Sequence, residues 1–107
     1  MSIAPTPEPP YVAVIFTSVR TEGDRGYAAM SARMEEIAAQ QPGFLGLESA
    51  RDGVGVTVSY WRSEADAAAW KRVAEHVVAQ QRGREVWYAD YRVRVATVTR
   101  DYGPTAD

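Results

Sequence analysis

"FLGLESARDGVGVTVSYWRSEADAAAW", residues 44–70, carries the signals for a β-hairpin and a helix start without a break. Val54, Val56, Val58 and Tyr60 alternate with Gly55, Thr57, Ser59 and Trp61, the two-residue period of a strand. Phe44 to Arg51 is an earlier apolar-bearing run. Asp52-Gly53 joins the two, since glycine accepts the positive φ that a tight hairpin turn demands. Directly after Trp61, Ser63 and Asp66 have the spacing of a capping box, with Asp in the place of Glu. The pattern predicts a helix from there to about Gln80 that buries Ala69, Trp70, Val73 and Val77.

Outward from this unit the same two periods recur. "YVAVIFTSV", Tyr11 to Val19, reads as a strand apolar on both faces: Ala13 and Ile15 on one, Val12, Val14 and Phe16 on the other. From Arg25 to Gln41, Tyr27, Met30, Met34, Ile37 and Ala38 form a helical stripe with Asp24 as its N-cap, and Pro42 ends it. "YRVRVATVTR", Tyr91 to Arg100, is a last strand in which Arg92 and Arg94 alternate with Val93 and Val95. Before it lies the Gly-interrupted "QQRGREVWY", whose Trp87 and Tyr88 read as an aromatic anchor for the domain or a partner subunit.

The order is β-α-β-β-α-β, an α+β, ferredoxin-like plan with two helices on one face of a four-stranded antiparallel sheet. The other sheet face is apolar, and no element is left to cover it. A homodimer closing sheet on sheet is therefore the expected partner. One domain is expected over residues 11–102, with a flexible Pro-rich arm at 1–10 and a tail at 103–107.

Composition narrows the chemistry. The 107 residues include no cysteine and one histidine, which excludes thiolate nucleophiles, Cys-ligated metals and a multi-His site within one chain. The net charge of -2 comes from mixed charges without a basic block, which argues against nucleic acid as a partner. No apolar run approaches the ~20 residues of a membrane span, and "MSIAPTPEPP" lacks the build of a signal peptide, so the cytoplasm is the expected compartment. No G-x-G-x-x-G follows a strand, so no nucleotide cofactor is expected.

"PGFLGLE" leading into the second strand, "YWRSEADAAAWK" crossing from the third strand into the second helix, and "WY" before the last strand resemble the antibiotic biosynthesis monooxygenase domain family. The resemblance runs from about Tyr11 to about Tyr102. It implies a dimeric α/β barrel, and an activity such as cofactor-independent oxygenation of a small aromatic or quinol-type compound. In that chemistry the substrate is deprotonated to an electron-rich anion that reacts with oxygen itself. The protein supplies an apolar pocket, a proton acceptor and a donor for the developing oxyanion.

On this basis His76 is the candidate proton acceptor, since imidazole titrates near neutrality. Tyr60, Trp61 and Trp70 are candidate ring surfaces, and Arg82, Arg84 and Tyr88 candidate anion donors. Packing competes for each: His76 borders a buried stripe, and Trp70 has the spacing of a core residue. Two alternatives remain, a non-catalytic module of the same fold that binds a small hydrophobic ligand or serves a stress-related role, and a haem-binding protein. The haem-degrading relatives imply an axial histidine on the second helix and an Asn on the first strand. This chain contains no Asn, so Thr17 or Ser18 would have to stand in for it.

Overall fold

In the computed structural model, residues 2–80 and 86–104 are described. Six elements follow in the expected order: β1 Tyr11–Arg20, α1 Tyr27–Ala39, β2 Phe44–Asp52, β3 Val54–Trp61, α2 Glu64–Gln80 and β4 Tyr88–Val98. The strands form one antiparallel sheet in the order β2-β3-β1-β4. This is the ferredoxin-like α+β arrangement that the sequence predicts.

Register divides the sheet into two faces. Val12, Val14 and Phe16 pair with Trp61, Ser59 and Thr57 on the helix side, while Ala13, Ile15 and Thr17 pair with Tyr60, Val58 and Val56 on the open side. On β4, Val93 and Val95 pair with Phe16 and Val14, and Arg92 and Arg94 with Thr17 and Ile15. The alternation read from the sequence therefore holds on both strands.

Two element starts differ from expectation, each for a structural reason. α1 starts at Tyr27 rather than Arg25, because Arg25 (φ 52°) and Gly26 (φ 85°) are both left-handed and cannot begin a right-handed helix. Asp24 still contributes, its carboxylate accepting from the Ala28 N–H at 3.2 Å. β4 starts at Tyr88 instead of Tyr91, since a register shift at Val19/Arg20 lets Tyr88 pair with Arg20. At the head of α2 the Ser63 half of the cap forms as read, its hydroxyl accepting from the Asp66 N–H (3.1 Å), while the Asp66 carboxylate accepts from that hydroxyl (3.0 Å) where a capping box would have the Ser63 N–H.

The core is small and sits where α2 leaves β3. Val12, Trp61 and Ala67 are buried together, with Val14, Phe44 and Trp70 packed against them. Trp61 has no exposed surface. Its indole N–H donates to Ser59 Oγ at 2.9 Å, and its ring stacks on Trp70 with centroids 5.7 Å apart. In α1, Met30 and Ala38 are the buried members of the expected stripe. On the open face, residues of the arm lie against the sheet, the Ala4 N–H donating to Glu48 Oε2 at 2.9 Å. Among the described residues no helix is long and apolar enough to cross a membrane.

A candidate active site between the helices and the sheet

Away from that core the space between helices and sheet is not filled. Thr57, Ser59 and Ser49 occupy the sheet floor, and Ala67, Ala68 and Ala74 occupy the facing side of α2. Native interiors are close-packed, so short side chains on both facing surfaces leave a void unless the elements collapse together. The result is a cavity of about 810 Å³, within the range of about 300–1,000 Å³ typical of small-molecule sites. Met30 and Met34 of α1, Trp70 of α2 and Val14 of the floor give it a mainly apolar wall. Val93 and Val95 on the edge strand also line it and remain partly exposed, so the cavity opens beside β4.

One end of the cavity is phenolic. Tyr27, Tyr88, Tyr91 and Phe16 all line it, with Tyr27 edge-on to Tyr88 at 5.8 Å and Phe16 edge-on to Tyr88 at 5.2 Å. Burial, then hydrogen bonding to Tyr27, push the Tyr88 phenol far above its ordinary value of 10.0. It is therefore a neutral hydrogen-bond donor throughout the physiological range. Two guanidinium groups stand behind this end. Arg20 lies 3.6 Å from the Tyr27 ring centroid and Arg51 lies 6.0 Å from it.

Both cations are held by backbone as well as by the ring. Arg20 donates to the carbonyls of Trp87 (3.0 Å) and Gly23 (3.2 Å). Arg51 crosses over Gly55 and donates to Ser18 O (3.2 Å) and Ser18 Oγ (2.6 Å). Trp87 pins the adjoining loop: it is 3% exposed, donates to Arg25 O at 2.9 Å and accepts from the Thr21 N–H at 3.1 Å. The expected aromatic anchor is thus an anchor within the domain, and it fixes the start of β4 that delivers Tyr88.

Of the residues singled out in the sequence, Trp70 and Tyr88 meet at the cavity. Trp61 lies behind Trp70 in the core. Tyr60, its neighbour on β3, points to the opposite sheet face, where its hydroxyl donates to Glu48 Oε1 at 2.8 Å. His76 is exposed on α2 and lies off the lining, whereas Lys71, Ala74, Glu75 and Val78 line it. A helix turns about 100° per residue, so His76, two positions from both Ala74 and Val78, points about 160° away from each of them. Arg82 and Arg84 lie outside the described residues. The histidine donor that the haem-binding resemblance implies is therefore not in the cavity, and the residues that line it do not fit that ligand set.

Sequence reasoning puts Tyr27 in a helical stripe and Tyr91 at a strand start, without connecting either to the site. The available signal was chemical: a tyrosine in an otherwise aliphatic stripe carries a hydroxyl that needs a partner. Arg20 and Arg51 gave no such signal, because their roles depend on contacts distant in sequence.

Comparison with known proteins agrees with the geometry. The family model described as antibiotic biosynthesis monooxygenase matches residues 10–82. An uncharacterized Bacillus subtilis protein, YqjZ, is 54% identical over 100 residues, covering 92% of this chain and 88% of its own length. A jasmonate monooxygenase of Pyricularia oryzae is 39% identical over 49 residues, 46% of this chain and 23% of that protein. Among solved structures, SnoaB, a cofactor-independent oxygenase from Streptomyces nogalater, superposes with a TM-score of 0.71 at 14% identity, covering 88% of this chain and 97% of that one. A Pseudomonas aeruginosa protein gives a TM-score of 0.66 at 16% identity, over 91% of this chain and 100% of that one. These two structural likenesses establish the fold, and the sequence match establishes the kinship: the chain belongs to the antibiotic biosynthesis monooxygenase family.

Proposed function

We propose that the chain is a cofactor-independent monooxygenase acting on a small hydroxyaromatic, anthrone-type or quinol-type compound held in the cavity. The observation that carries this reading is the division of the cavity into an apolar body and a phenolic end backed by two fixed cations. A flat ring lies in the apolar part, and its oxygen meets the hydroxyls of Tyr27 and Tyr88. Phenols in the field of nearby guanidinium groups favour the anionic form of that oxygen. They are donors rather than bases, so the substrate must be acidic enough to release its proton to solvent at the open side.

For a substrate methylene activated in this way, CH₂ and O₂ become C=O and H₂O. The substrate carbon supplies the four electrons that dioxygen takes, and no external reductant enters. The resemblance of the fold to SnoaB supports the assignment, as does the jasmonate monooxygenase over the shorter span that it shares.

The test is oxygen uptake with a panel of anthrones, naphthols and quinols, read beside thermal shifts for the same compounds. Turnover of at least one compound without added cofactor, weakened in Tyr88→Phe and Tyr27→Phe, is the expected result. Compounds that raise the melting temperature but consume no oxygen above the buffer rate would overturn catalysis and favour the non-catalytic binding module.

We also infer that two copies pair through the open sheet face. There Val19, Val54 and Val56 are 41%, 52% and 38% exposed, an apolar surface that a lone subunit would leave in water. A sedimentation mass near twice 11.8 kDa is expected. A mass that stays at the single-chain value at every concentration would refute the pairing.

A further inference from the structure

The open sheet face has two ends. At one, the N-terminal arm is held by two carboxylates: the Ala4 N–H donates to Glu48, and the hydroxyls of Thr6 and Tyr11 donate to Asp101. A Cβ on Gly46 would lie 2.8 Å from the Ala4 Cβ, so the arm reaches this part of β2 only because residue 46 lacks a side chain. Tyr11 and Ala13, on the same face, are buried, whereas Val19, Val54 and Val56 at the other end stay exposed.

The register adds a second, independent observation. Glu48 pairs with Val58, Val58 with Ile15, and Ile15 with Arg94, so these four residues form one row across the open face. The row is acidic at the β2 edge, apolar in the middle and basic at the β4 edge. A two-fold axis parallel to the strands would lay it on its own copy in reverse. Each Glu48 would then face an arginine of the second copy, and Val58 would face its isoleucine. The row is thus self-complementary in both charge and apolarity. Glu48, however, is already engaged by the arm. Stacked sheets lie about 10 Å apart, a gap filled by two layers of side chains with no room for a third layer of chain.

We propose that the N-terminal arm and a second copy of this chain compete for the Glu48 end of the open sheet face, so that the arm sets the strength of self-association. The competition presupposes the sheet-to-sheet pairing inferred above. Its test is sedimentation equilibrium on the full chain, on a chain lacking residues 2–9, and on Ala4→Pro, which removes the N–H donated to Glu48 and leaves the sheet untouched. The expected result is an association tighter by about tenfold in the truncated chain and a smaller gain in Ala4→Pro, with Arg94→Glu weakening all three. Should the truncated chain fail to fold, Ala4→Pro carries the test alone. Dimers of equal or weaker affinity without the arm overturn the competition and leave the pairing intact. Single chains throughout overturn both.

Discussion

Gly43 and Gly53 form a matched pair for testing what holds α2 over the cavity. Their backbones have nearly the same left-handed φ, 80° and 79°. Around Gly53 nothing lies within 4 Å of where a Cβ would stand, whereas on Gly43 that atom would lie 2.8 Å from the Asp66 Cβ and closer still to its carboxylate. Asp66 is not free to step aside, since it is bonded both ways to Ser63, and Gly43 O accepts from the Arg62 N–H at 2.8 Å. Alanine at either position costs about 1 kcal/mol for the left-handed backbone, and its effect on the unfolded chain is common to both. At Gly43 the displaced cap adds about 1 kcal/mol and the overpacking about 1 kcal/mol more. Gly43→Ala is therefore expected to lose about 3 kcal/mol and Gly53→Ala about 1 kcal/mol. At roughly 4–8 °C per kcal/mol for a domain of this size, thermal melts followed by circular dichroism separate the two clearly. Adding Asp66→Ala to Gly43→Ala should recover about 1 kcal/mol relative to the sum of the single changes. Equal losses at Gly43 and Gly53 would refute the reasoning, because they would leave the cap no part in the joint. Gly43→Ala should also weaken naphthol binding, since this joint sets where Trp70 stands.

Four further outcomes follow from particular contacts. Trp87→Phe keeps a buried ring but removes the donor to Arg25 O, and should cost about 1–2 kcal/mol in urea unfolding, with faster hydrogen exchange at Thr21. Trp70→Ala removes the ring stacked on Trp61 and one wall of the cavity; a loss of about 2–4 kcal/mol and weaker binding of aromatic ligands are expected. Burial, then the hydrogen bond to Glu48, push the Tyr60 phenol up to about 12 from an unfolded value of 10.0. The protonated phenol therefore stabilises the fold fully below pH 10, and this contribution is lost as pH rises toward 12; Tyr60→Phe should flatten the fall in stability across that window. His76→Ala should leave stability within about 0.5 kcal/mol and oxygen uptake unchanged, and a loss of uptake would show that this exposed ring reaches the ligand.

Local signals alone carried the element order. Alternation in Val54–Trp61, the Asp52-Gly53 turn and the Ser63–Asp66 cap each act within a few residues, and the structure bears out all three. The same period of two separates Tyr60 from Trp61, so adjacent aromatics could not share one cavity. Boundaries were legible only where the deciding residue is local. The left-handed Arg25 and Gly26 that delay α1, and the register shift that starts β4 at Tyr88, answer to contacts with Trp87 and β1.

The sequence by itself determined a split β-α-β-β-α-β sheet, an apolar face in need of a cover, and membership of a recognisable family. Only the tertiary structure decided which side chains meet at the cavity. Tyr27 and Tyr88 are brought edge to edge, Arg20 and Arg51 come to lie beside Tyr27, and α2 turns Lys71 and Ala74 to the cavity with His76 outward. The physical reason is that strand and helix periods, turns and caps act over short spans of chain. A cavity, by contrast, is the volume left where side chains from different elements are too short to meet.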